Sequence, residues 1–217
     1  MDNLIYVLAI CICAPLLLMM IIADNKTRRL LGFMIIGIGI SIVAAEFNSI
    51  MRDMVFTSLD LFHLTTSVTP ISEEVLKALP ILFVAIFITD KRDILFTQAM
   101  SIGIGFAIME NTHILIQNIE SVSLFWAMVR GFSSGLMHSI CTLLVGIGIS
   151  MVKKRRKLFF PGTFALLVAA STYHSVFNMF IQSDYMYIGA LLPIGTYLIL
   201  AYTLYKRKKN LTNEVKV

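Results

Sequence analysis

The chain has 217 residues, of which 58% are hydrophobic and 14% charged, and its mean hydropathy is +0.83. At about 20 apolar residues per membrane-spanning helix, about seven spans would consume most of it, which excludes a water-soluble enzyme, a disordered protein and a nucleic-acid-binding domain. The formal net charge of +5 comes from short basic runs between apolar stretches, where such runs set membrane topology and do not argue for nucleic acid.

The first apolar stretch, residues 4–23, follows Asp2 and precedes Lys26, Arg28 and Arg29. A cleaved signal peptide has the opposite charge order, so the stretch is expected to stay as a transmembrane helix. A second span is predicted at 30–51. Residues 52–64 mix Asp53, Asp60 and His63 with Phe56 and Phe62, the pattern of an external amphipathic or re-entrant segment. Further spans are predicted at 66–89 and 95–118. Residues 121–130 resemble the earlier interfacial segment, with Trp126 as an anchor and Arg130 expected to snorkel outward. The last three spans are predicted at 131–152, 158–182 and 185–205. No run of alternating ten-residue segments supports a membrane barrel. The expectation is an all-α polytopic membrane protein with about seven transmembrane helices, forming a single integral-membrane domain over 1–217. Cys11, Cys13 and Cys141 have no metal-site or disulfide spacing and read as small buried residues.

Most of the basic residues fall at 24–29, 90–93, 153–157 and 206–209. The positive-inside rule then puts the N-terminus outside and the C-terminus in the cytoplasm. A charge near the centre of a membrane helix costs about 2.5 to 3.5 kcal/mol on insertion scales, yet the spans contain Glu46, Glu73, Glu74, Lys77, Glu110, Asn111, His113, His138, His174 and Asn178. Read along each helix, this set falls in the external half of the bilayer, very roughly 5 to 20 Å below the surface. Glu73 and Glu74 lie four and three residues before Lys77, so the lysine can neutralise one glutamate and leave the other free. His174 and Asn178 share a helical face. A glutamate base, two histidines and an amide donor suffice to hydrolyse a peptide bond. Glu46 reads equally as site or packing residue, and His113 and His63 as structural or interfacial.

Glu73 to Lys77 form EExxK, Phe106 to Asn111 form FxxxEN, and His138 and His174-xxx-Asn178 follow on later spans. Over residues 66–180 this order resembles the PrsW family of intramembrane proteases, relatives of the CAAX-processing and bacteriocin-processing membrane proteases. The resemblance implies a polytopic helical protease of the bacterial cytoplasmic membrane. It would make the first cut in a single-pass anti-sigma factor, and the loss of that substrate would release a sigma factor. Glu73 and Glu74 match the family's double-glutamate motif, and Glu110 stands where the CAAX-processing relatives have the histidine of FxxxH.

The catalytic set expected from the sequence is Glu73, Glu74, Glu110, His138, His174 and Asn178, with Lys77 and Asn111 in support. Two forms of the chemistry use it. In one, Glu73 or Glu74 activates water without a metal, the form preferred by analogy with the CAAX-processing relatives. In the other, His138, His174 and Glu110 bind a divalent metal such as zinc and Glu73 or Glu74 is the base. Gly131 to Gly135 match GxSxG, but that motif needs a strand-to-helix turn; the same residues read as GxxxG, a surface for close helix packing. Cys141 beside His138 is a poor nucleophile, since apolar surroundings raise a thiol pKa. The rival reading is a transporter or receptor with a buried Glu/His/Lys relay.

Overall fold

The computed structural model describes residues 4–55, 57–120, 122–151 and 156–214. Phe56 and the basic residues Lys153 to Arg155 lie outside the described residues. Helix α1 (Leu4–Ile22) is apolar on all sides and buries only Ile5 and Ala9, so the rest of its surface belongs in lipid. Helix α2 (Asn25–Met54) is capped by Asp24, whose carboxylate accepts from the backbone N–H groups of Lys26 and Thr27. Helix α3 (Leu61–His63) runs through a π-helical turn (Leu64–Val68) into α4 (Thr69–Phe87). After it come α5 (Arg92–Gln117), α6 (Leu124–Ile149), α7 (Arg156–Ile181) and α8 (Met186–Glu214).

Among the described residues there is no strand, and 6 helices are long and apolar enough to cross a membrane: α1, α2, α5, α6, α7 and α8. Helix α4 has the length but carries Glu73, Glu74 and Lys77, all of them buried. It is tolerated because α2, α5, α6 and α7 pack around it, which puts the charged face against protein and not lipid. The chain is thus an all-α, multi-pass membrane protein. Among the described residues of 52–64 there is no separate re-entrant helix. Helix α2 continues to Met54, and from Leu61 the chain already belongs to the α3–α4 rod, started by Asp60, which accepts from the backbone N–H of His63 at 2.8 Å. That bond and the His63 ring together hold the Asp60 carboxyl below the usual carboxylate range.

The two ends of the bundle differ. At one end Arg92 reaches the Met151 sulfur at 3.1 Å, joining the basic α4–α5 connector to the end of α6. The apolar core around Ile81, Ile102, Cys141, Val145 and Ile149 extends into this half. At the other end the π turn meets the end of α7: Asn178 donates its amide to the Thr65 carbonyl at 2.9 Å, and the Thr65 hydroxyl donates to Gln182 at 3.1 Å. The π turn has a local cause. Pro70 has no N–H to give in an α-helical register, the Thr69 N–H bonds Leu64 O instead, and the Thr65 carbonyl is left available to α7.

Close helix contacts come from glycines other than those of the GxxxG pattern. A Cβ at Gly131 or Gly135 would meet nothing within 4 Å, so the expected packing surface is open and carries no close helix contact. Gly103 of α5 instead lies on the α6 backbone, where a Cβ would stand 2.6 Å from His138 O and 2.7 Å from Ser139 Cα. Backbone cannot yield as a side chain can. Gly103→Ala is therefore expected to destabilise the protein by about 1 to 3 kcal/mol, read as a lowered thermal midpoint in detergent; an unchanged midpoint would contradict this packing. The cysteines divide: Cys141 is buried as expected, Cys13 is half-buried, and Cys11 is exposed on the apolar surface of α1.

Candidate active site

The buried face of α4 brings its three charges into one cluster with α5, α6 and α7. Lys77, fully enclosed, places its ammonium 2.6 Å from Glu74 Oε1, 3.0 Å from His138 Nδ1 and 4.5 Å above the centre of the Phe106 ring. An ammonium can only donate, so His138 Nδ1 accepts and the ring hydrogen sits on Nε2. That Nε2 faces Glu110 Oε2 at 2.9 Å. Helix α6 therefore holds His138 as a bridge between a cation on α4 and a carboxylate on α5.

His174 of α7 is set by the opposite logic. Its Nδ1 lies 3.0 Å from Glu74 Oε1, and a carboxylate can only accept, so Nδ1 carries the hydrogen and Nε2 presents a lone pair. Across from that lone pair, at 3.7 Å, is Glu73 Oε2, a buried oxygen with no hydrogen-bond partner. Two acceptors facing each other in a buried site need a proton donor or a cation between them.

Glu73 and Glu110 both line a cavity of about 730 Å³ at the end of the bundle away from the basic connectors. Its walls include Thr65, Thr69, Gln117, Trp126, Arg130, Asn178 and Gln182, more amides and hydroxyls than a lipid-facing cleft would carry. The acid on α5 is the more open of the two, at 22% side-chain exposure against 11% for Glu73. A second cavity, about 600 Å³ and walled by residues such as Met100, Phe132, Leu143 and Tyr197, is apolar and includes no carboxylate or histidine.

The structure thus brings together Glu73, Glu74, Lys77, Glu110, His138 and His174. Asn178 lines the same cavity but spends its amide on the Thr65 carbonyl. Asn111 is buried beside the cluster's α5 member with its carbonyl oxygen unpartnered. Glu46 is elsewhere, accepting from the Tyr6 hydroxyl at 3.0 Å and tying α1 to α2. His63 stays with Asp60 on the surface at 2.7 Å. Ser133, the serine of the GxSxG pattern, sits inside α6 and donates to Ala190 O of α8 at 2.8 Å, a packing role. The Cys141 thiol lies against Ala170 O in the apolar core.

Arg130 is the main correction. It does not snorkel outward. Helix α6 starts at Leu124, so Arg130 is already inside the bundle, 9% exposed, with Nη2 3.6 Å from Glu110 Oε2 and its guanidinium 5.9 Å from the centre of the Trp126 ring. The signal for this was its position eight residues before His138, about two helical turns away and close to the same face.

Buried carboxylates, histidines and a lysine, assembled from four helices and opening through a polar cavity, form a candidate site inside a multi-pass membrane protein. The chain matches the PrsW family of intramembrane metalloproteases over residues 25–205, and it belongs to that family. No curated protein and no solved structure matches it. It is an intramembrane protease, and its substrate is a membrane protein in the bilayer.

The family description favours the metal form of the chemistry over the metal-independent form expected by analogy. Among the described residues, Glu73, His138 and His174 each offer a ligand atom within 4.8 Å of the others. The carboxylate of this group is Glu73, where the sequence pointed to Glu110. The donor set fits a divalent metal: an orphaned carboxylate oxygen and a histidine lone pair converge, and Glu74 holds the far side of the His174 ring as carboxylates do behind metal-bound histidines. His138 is less ready, because its Nε2 hydrogen is directed at Glu110.

Proposed function

We propose that the chain makes the first cut in a single-pass anti-sigma factor of the bacterial cytoplasmic membrane, at or near its external face, and that this cut leads to release of the sigma factor. The observation that carries the location is the polar cavity over Glu73 and Glu110, which opens at the end opposite the basic connectors; by the positive-inside rule that end is external. A relay for transport would need polar groups leading to both ends. The apolar core around Ile81, Cys141 and Val145 closes the other one.

The roles follow from the hydrogen bonds. Glu73 and His174 would hold a divalent metal such as zinc, which would supply Lewis acidity toward water and the scissile carbonyl when bound, while both ring nitrogens of His138 stay engaged by Lys77 and Glu110. Glu74, pinned between Lys77 and His174, orients the His174 ring. Glu110 takes the proton of the attacking water and returns it to the leaving nitrogen, and His138 and Arg130 steady its charge. Asn178 keeps the π turn, and with it the cavity mouth, in place.

Two measurements test this reading. Membrane-protein fragments from cells carrying the wild-type chain are compared by mass spectrometry with those from cells carrying the Glu73→Gln/Glu74→Gln variant at equal expression. A single-pass protein shortened only by the wild type is the expected result; no difference, envelope stress included, would overturn it. Metal content of purified protein separates the two carboxylates that line the cavity. Glu73→Gln and His174→Ala are expected to lose bound metal by about tenfold or more, whereas Glu110→Gln keeps it. Equal metal in all four proteins would remove Glu73 and His174 from the ligand set.

A further inference from the structure

We propose that Arg130 is the substrate-anchoring residue of this site, donating through its guanidinium to a main-chain carbonyl of the peptide segment that enters the cavity. The inference rests on the proteolytic reading of the cavity and adds the group that holds the substrate there.

Arg130 is more than nine-tenths buried and lines the cavity, and its Nε has no hydrogen-bond partner. A guanidinium has five N–H donors in a rigid fork. The carboxylate nearest to it among the described residues, Glu110, is 3.6 Å away from Nη2, too far for a good hydrogen bond. An unpaired donor on a buried cation is costly, and the cost is removed when an acceptor arrives. Trp126, one turn earlier on α6, stands against the guanidinium and limits how far it can swing.

The chemistry of the walls chooses the acceptor. Glu73 and Glu110 already face the cavity, so an acidic side chain of the substrate would be repelled. A neutral carbonyl would not. Thr69, Gln117 and Gln182 on the same walls offer the remaining polar contacts that an unwound peptide backbone requires inside a membrane. A peptide lying along the cavity would place one carbonyl on Arg130 and the next bond toward Glu73 and Glu110.

Trp126 is the only tryptophan in the chain and lines the cavity, so its fluorescence reports occupancy without any cleavage. The probe is acetyl-Leu-Leu-Leu-amide, whose acceptors are all main-chain carbonyls, titrated into the purified full-length protein in detergent. Wild type is expected to give a saturable fluorescence change. Arg130→Ala should raise the half-saturating concentration by roughly tenfold or more, and millimolar methylguanidinium should restore it. Arg130→Lys keeps the charge opposite Glu110 but lacks the fork; it should fold like the wild type and still bind weakly. Wild-type affinity in Arg130→Lys, or failure of methylguanidinium to restore binding in a folded Arg130→Ala, would overturn the proposal by showing a charge or packing role only. Peptide binding that depends on Arg130 in a protein that cleaves nothing would instead count against the protease assignment and leave the carbonyl anchor standing.

Discussion

Glu73→Gln is expected to abolish substrate cleavage, by about a hundredfold or more, while leaving the thermal midpoint close to that of the wild type. The stability half of this expectation comes from what the Glu73 side chain lacks. Its Oε2 has no hydrogen-bond partner and the nearest ring nitrogen is the unprotonated Nε2 of His174, 3.7 Å off, so an amide of the same shape breaks no bond. It also removes a charge from a site where Glu74 and Glu110 already repel it. The activity half comes from position: Glu73 meets the cavity on one side and the His174 lone pair on the other. Either as metal ligand or as a base toward water, the carboxylate is needed and the amide is not an equivalent. The check is processing of the substrate in proteoliposomes alongside a melting curve. Full processing by a well-folded Glu73→Gln protein would take this residue out of the chemistry. Glu110→Gln should also stop cleavage, with metal retained, which sets the two carboxylates apart by function and not only by place.

The membrane fold was legible because its signals are cheap to read. Twenty-residue apolar stretches and alternating basic connectors mark helices whatever packs against them, and α1, α2, α5, α6, α7 and α8 overlie the expected spans, although α6 begins earlier, at Leu124, and α8 runs on to Glu214. The polar set was legible for a related reason. A glutamate or histidine in an apolar helix is improbable without a partner, and six of those residues do converge. The pairing was not legible. Spacing on α4 allows Lys77 to reach either Glu73 or Glu74, at i+4 or i+3, and only the position of α6 and α7 decides that Glu74 is the paired one. The inward turn of Arg130 was missed because residues 121–130 look like an interfacial segment until the start of α6 is known. Glu46 shows the converse. Its depth matched the site, but α2 presents it to Tyr6 of α1, and no local pattern in the sequence carries that rotation. The Gly131/Gly135 spacing fits the two-glycine packing motif, whereas the glycine that touches a neighbouring backbone beside the site, Gly103, stands in the less conspicuous small-residue spacing Ala99-xxx-Gly103-xxx-Ala107.

Lys77 is expected to hold the site together electrostatically, and the double variant with Glu74 should reveal it. The Lys77–Glu74 pair, 2.6 Å apart, is fully enclosed. Removing one member strands the other as a buried charge, so Lys77→Met and Glu74→Gln should each destabilise by about 3 to 5 kcal/mol. Lys77→Met also takes away the donor to His138 Nδ1, and Glu74→Gln the carboxylate behind His174 Nδ1, so both single variants should be inactive as well. In Glu74→Gln/Lys77→Met neither charge is stranded, and an apolar replacement for a buried ion pair is often neutral or better. The double variant should therefore recover most of the stability lost by either single change, a coupling at least as large as one single loss, about 3 to 5 kcal/mol or more, readable in thermal or denaturant melts of the four proteins. Cleavage should not return with it. His138 would be free to present either nitrogen to Glu110, and His174 would lose the carboxylate that fixes which of its nitrogens faces Glu73. If the double variant regained both stability and cleavage, the pair would serve the fold alone; if it regained neither, the two residues would act independently and the bridge through His138 would not be what couples them.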